Sequence, residues 1–273
     1  MRLFRLFLLG LLANLFMQEL HAQDFYPSQR TWDKTRIQNQ KFSWKYLANQ
    51  NFEVYYFGKN EPLARTTLQI LDADFQRITN LLSYTSYQKT RIFVYPSGNE
   101  LAQSNSGISY SNAQEAEDEN QAKFRIEIAY QNQYQAYKQN LLKQLSQVYL
   151  HDILYGGSIK DALQNSLLLS VPEWFTAGLS AYLATGETAQ MNQYMYQVVV
   201  ANKVRKPVLA RGIEAEFIGQ SIWSYIAKTY GANQIGNIVN LTRIIRNEQS
   251  SISSTLRKPI AKFLKEWFEF YVS

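Results

Sequence analysis

Apolar and polar positions alternate strictly in two stretches of this chain and recur at helical spacing in most of the rest. Phe52, Val54 and Tyr56 fall on one face of a period-two pattern between Asn51 and Phe57, which predicts a half-buried strand. From Glu61 to Ser83 the apolar positions Leu63, Ile70, Leu71, Ile78, Leu81 and Leu82 follow the period of a long amphipathic helix. Arg91 to Tyr95 predicts a second strand, ended by Pro96-Ser97-Gly98. After a polar stretch from Ser104 to Gln121, Phe124, Ile126, Ile128 and Tyr130 alternate with Lys123, Arg125 and Glu127, the clearest strand signal in the chain. Beyond Gln133 the pattern predicts helices near 134–154, 158–169, 172–185, 188–202, 219–231, 233–247 and 256–270. A strand-rich N-terminal part followed by a helical half predicts an α+β fold.

The first residues have a different pattern. Arg2 and Arg5 precede an apolar run from Leu6 to Phe16, and Leu20-His21-Ala22 offers a cleavage site. The run is too short to span a bilayer, so residues 1–22 are expected to be a secretory signal peptide. Residues 23–50 follow as a polar, aromatic extension without clear period, and 51–273 as the folded domain. Export with no cysteine anywhere implies a domain held by its core, with no disulfide and no lipid-anchoring cysteine. The formal charge of +6 is mild, and the acidic run Glu115-Ala116-Glu117-Asp118-Glu119 offsets basic clusters at Lys203-Val204-Arg205-Lys206 and Arg257-Lys258. No basic and aromatic pattern points to nucleic acid, and no transmembrane span is expected after the signal is cut.

Two helical segments carry candidate chemistry. Leu141 to Tyr149 reads as a buried helix, and Pro172-Glu173-Trp174-Phe175-Thr176-Ala177-Gly178-Leu179-Ser180-Ala181-Tyr182 as a second helix opening on a proline. Together they resemble the paired motifs of the gluzincin zinc peptidases, in particular the peptidase MA-like group, whose first helix carries H-E-x-x-H and whose second carries W-F-x-E-G-L-A-x-Y. Asp152, Tyr155, Gly156 and Gly157 resemble that family's helix end. Phe52 to Tyr56 resembles its opening strand, and Gly219 to Ile226 with Tyr230-Gly231 its late helix. The resemblance implies a thermolysin-like gluzincin fold: a small mixed sheet with a long helix, followed by a mainly helical C-terminal half.

The same resemblance implies that the chemistry is gone. Histidines at i and i+4 grip zinc from one helix face, the glutamate beside the first activates water, and a glutamate on the second helix completes the site. Those four positions hold Lys143, Gln147, Gln144 and Ala177. A lysine is a repelling cation, a glutamine amide a poor zinc ligand, and an alanine no donor at all. Sliding the register by four residues recovers only His151. The chain has two histidines, and His21 lies in the expected signal peptide.

The expected function is therefore an exported pseudopeptidase, with no cofactor and no metal, that binds a protein or peptide partner of the cell envelope. Its expected location is periplasmic, outer-membrane associated or extracellular. The strand bearing Phe124, Ile126, Ile128 and Tyr130 is the candidate cleft strand, because strand addition needs no metal. Two other readings remain: a structural spacer, and a metal-independent hydrolase using Glu173, His151 or Asp152. Against the last, His151 is expected to be a partly exposed residue near a helix end, and Glu173 a first-turn acid. Trp174, Phe175, Leu179 and Tyr182 are expected in the core.

Overall fold

The computed structural model describes residues 42–104, 124–156, 171–201 and 206–272. The expected signal peptide, most of the extension, the acidic run and the helix expected at 158–169 lie outside them. Four strands form one mixed sheet in the order β1-β2-β3-β4: β1 (Trp44–Ala48), β2 (Phe52–Phe57), β3 (Thr90–Tyr95) and β4 (Arg125–Ala129). β1 runs antiparallel to β2, and β2, β3 and β4 are parallel. β1 lies inside the stretch read as extension, so the sheet begins earlier than the pattern predicts.

Asn49 makes the β1–β2 turn. Its side-chain oxygen accepts from the backbone N–H groups of Asn51 and Phe52 at 3.0 and 2.8 Å. The parallel β2–β3 pair needs a crossover, supplied by α1 (Glu61–Leu82), which ends at Ser83 in a left-handed conformation. A short helix, α2 (Gly98–Gln103), follows β3, with the Ser97 hydroxyl accepting from the Glu100 N–H at its start.

The inner face of the sheet presents Phe52, Val54, Ile92, Val94, Phe124, Ile126 and Ile128 to α1 and to α3 (Tyr134–Tyr155), all within one apolar core. The outer face carries a row of rings instead. Tyr55 stacks on Phe93 at 4.7 Å, the Arg125 guanidinium lies 3.9 Å over the same Phe93 ring, and Tyr46 sits 5.4 Å from Tyr55.

The remaining elements are α4 (Glu173–Thr185), α5 (Ala189–Val200), a 3-10 turn (Pro207–Leu209), α6 (Gly212–Tyr230), α7 (Asn233–Ile245), α8 (Glu248–Leu256) and α9 (Ile260–Val272). The described residues thus form a small sheet followed by a mainly helical half, an α+β architecture. α4 packs against both α3 and α6. Where α4 and α6 cross, the backbones nearly touch: a Cβ on Gly178 would lie 2.3 Å from Gly219, and one on Gly219 would lie 1.9 Å from the Trp174 carbonyl oxygen. Two facing glycines are what permit that approach.

Candidate functional site

α3 is the central helix. From Leu145 to Tyr155 every residue except Gln147 is buried, so the second half of the helix has no solvent face. Lys143 and Gln144 lie earlier, where the helix is only half-buried. Lys143 Nζ forms an ion pair with a carboxylate oxygen of Glu216 on α6. Gln144 donates to Asn140 at 3.2 Å along its own helix, and Gln147 lies half-buried one turn beyond Lys143.

Ala177 is half-buried on α4, next to Gly178 and therefore beside the α4–α6 crossing. Glu216 precedes Gly219 by three residues, one helical turn from the same crossing. Lys143 and Ala177 thus stand on two helices that pack together, and Glu216 comes from the helix that meets α4 most closely. A zinc ion does not fit this set. Lys143, where the resemblance implied a first ligand, is an ammonium already paired with a carboxylate, and Ala177 has no donor. Among the described residues no group of three His, Cys, Asp or Glu side chains could hold a metal ion.

The motif residues of α4 act in packing. Trp174, Phe175 and Leu179 are core residues. Trp223 Nε1 donates to the Phe175 carbonyl at 3.0 Å with the two rings 4.9 Å apart, tying α6 to α4. Tyr182 is only half-buried, and burial raises its phenol pKa. Glu173 does more than suit a helix dipole: its carboxylate accepts from the Gly212 N–H at 3.0 Å, satisfying a donor at the first turn of α6.

His151 is buried rather than partly exposed, at 8 %. α3 is surrounded on all sides there, and the imidazole lies 4.8 Å from the Tyr155 ring. Its neighbour Asp152 accepts from the Tyr84 hydroxyl at 2.6 Å and the Tyr87 hydroxyl at 3.3 Å, holding the segment after α1 against α3. Burial first, and then donation to Asp152, raise the Tyr84 phenol far above its ordinary value.

The candidate strand is β4, at the opposite end of the described sheet from β1. Phe124, Ile126 and Ile128 point into the core, and Tyr130 is half-buried with its ring 5.3 Å from Tyr137. Among the described residues no strand pairs with its far edge, to which the other residues turn. The Arg91 N–H donates to the Phe124 carbonyl, and the Tyr130 N–H donates to the Tyr95 carbonyl. Even-numbered residues therefore bond to β3, while Arg125, Glu127 and Ala129 direct their backbone groups away from it. No family model, curated protein or solved structure matches this chain.

Proposed function

We propose that the chain is an exported, catalytically silent domain of gluzincin type that binds a protein or peptide partner in the cell envelope. The observation that carries this reading is the Lys143–Glu216 ion pair. A cationic side chain at the first ligand position, neutralised by a carboxylate from α6, supplies the positive charge at a helix junction where the family would place its metal. The junction is then held by protein groups alone, leaving the frame available for recognition. The outward-turned backbone groups of Arg125, Glu127 and Ala129, with no described strand beside them, support strand addition as the binding mode.

The test has two arms. The purified mature protein, given excess zinc, is expected to bind no stoichiometric metal and to show no chelator-sensitive peptide hydrolysis; either activity overturns the pseudopeptidase reading. The triple variant Lys143→His, Gln147→His and Ala177→Glu is expected to gain zinc binding, read by calorimetry and by a zinc-dependent rise in melting temperature. A folded triple variant that ignores zinc overturns the family register.

A further inference from the structure

The row of rings on the outer face of the sheet is closed at one end and open at the other. Tyr55 on β2 stands between Tyr46 on β1 and Phe93 on β3, and from the β4 side the Arg125 guanidinium lies 3.9 Å over the Phe93 ring. Tyr46 ends the row. Its ring meets Tyr55 at 5.4 Å, yet the residue is 60 % exposed. A single exposed tyrosine needs no explanation by itself. The backbone beneath this one gives it weight.

The Asn49 N–H donates to the Phe52 carbonyl at 3.0 Å and closes the β1–β2 hairpin. Given the register Leu47↔Val54 and Lys45↔Tyr56, Lys45 and Leu47 turn their backbone groups to β2, while Trp44, Tyr46 and Ala48 turn theirs away from it. No described strand pairs with that side of β1, and Lys45, Tyr46 and Ala48 are all exposed. An unpaired edge strand is a template for another strand unless charge blunts it. The one charged residue of β1, Lys45, alternates to the face opposite the rings.

We infer that β1 pairs with β1 of a second copy of this chain, antiparallel about a two-fold axis at Tyr46, so that the two sheets join into one. Self-complementarity selects the occupant, because a two-fold contact sets one strand against itself. With the axis at Tyr46 all five residues of β1 are paired. Tyr46 then faces Tyr46, small Ala48 faces Trp44, and Lys45 faces Leu47, so no like charges meet and ring joins ring where each row is open. The residues that turn their backbone groups outward also face one another, as an antiparallel ladder requires. An axis at Lys45 would set two lysines opposite each other, and one at Leu47 would leave Trp44 unpaired. The contact does not involve β4, and it is independent of the proposed pseudopeptidase reading.

The experiment is sedimentation equilibrium of the mature protein over a range of concentrations, followed by cysteine cross-linking. A strand pair of this length is a small interface, so the dimer is expected to be weak and concentration-dependent. Tyr46→Lys, which sets two ammonium groups opposite each other at an exposed position, is expected to raise the dissociation constant at least about tenfold with unchanged circular dichroism. Because the chain has no cysteine, a single introduced thiol reports the register. At the axis, Tyr46→Cys brings two Cα atoms to about 5.5 Å, within disulfide reach, and is expected to give a covalent dimer in oxidised glutathione. Ala48→Cys, whose two copies would lie about 14 Å apart, is expected to stay monomeric under the same conditions. A chain still monomeric at about 0.5 mM, where even a millimolar dissociation constant shows, overturns the inference. So does a dimer that Tyr46→Lys leaves intact, or equal cross-linking at the two positions. A chain that is monomeric alone but loses an envelope protein with Tyr46→Lys replaces the second copy with a different partner.

Discussion

Gly178 and Gly219 fix how closely α4 and α6 cross. A methyl group on Gly219 would sit 1.9 Å from a backbone oxygen, which no rotamer change relieves. Gly219→Ala is expected to cost about 3 kcal/mol, lowering the melting temperature by about 6–12 °C in thermal unfolding. Lys143 works on a smaller scale. Its ion pair with Glu216 is partly exposed, with side-chain exposures of 27 % and 21 %, so solvent screens much of the attraction. Lys143→Met, which keeps the stem and removes the charge, is expected to change stability by no more than about 1 kcal/mol in urea unfolding. The pair is therefore better understood as a marker of what occupies the junction than as its main support. Of these features, Lys143, Gln144, Gln147 and Ala177 could be read from spacing against a motif. The Glu216 partner could not, because it lies 73 residues away on a helix whose first turns the apolar pattern did not reveal.

At the scale of elements, the strongly periodic segments were legible in the chain: α1, the β4 pattern and the proline-led α4 lie where the spacing places them. β1 was hidden because its pattern mixes two apolar faces. Trp44 and Tyr46 join the outer row of rings, while Leu47 packs against the core, so no clean alternation survives. α6 begins at Gly212, seven residues before the glycine-led pattern suggests, because its first turns carry Ile213 outward and Glu214 and Glu216 toward partners on other helices. α8 falls in the gap left between the helices expected at 233–247 and 256–270, although Asn247 marks its start by accepting from the Ser250 N–H at 2.8 Å, directly after Arg246 adopts a left-handed conformation. The strand edge has its own test. Ala129 directs its N–H away from β3, so Ala129→Pro removes a donor from the far edge of β4 without breaking a described sheet bond. If the domain recruits its partner by strand addition, a pull-down from the envelope fraction is expected to lose that partner with Ala129→Pro while circular dichroism is unchanged; retention of the partner removes β4 from the interface.

For the whole molecule, the sheet-bearing and helical halves are joined by charged ties as well as by the shared core, and those ties respond to acid. Asp74 on α1 binds Arg77, whose guanidinium also donates to the Leu183 carbonyl at the end of α4, and it pairs with Lys138 on α3. Burial alone would raise the Asp74 carboxyl, but hydrogen bonds and charge from Arg77 and Lys138 outweigh it and hold the group below its ordinary value of 3.8. Glu187, between α4 and α5, behaves alike: burial raises it, and Lys228 and Asn192 bring it below 4.5. A carboxylate whose folded value is depressed contributes stability that is complete above the unfolded value and drains as pH falls toward the folded one. The folded state is therefore expected to lose stability below about pH 4.5, where the unfolded chain takes up protons that the folded chain still refuses. Urea midpoints measured across the acid range should fall in that window. In Asp74→Asn the decline should be shallower, because one of the two groups that drive it no longer titrates. An unchanged acid slope in that variant would mean that the Asp74 tie between α1, α3 and α4 contributes nothing to the pH dependence, and that other carboxylates account for it.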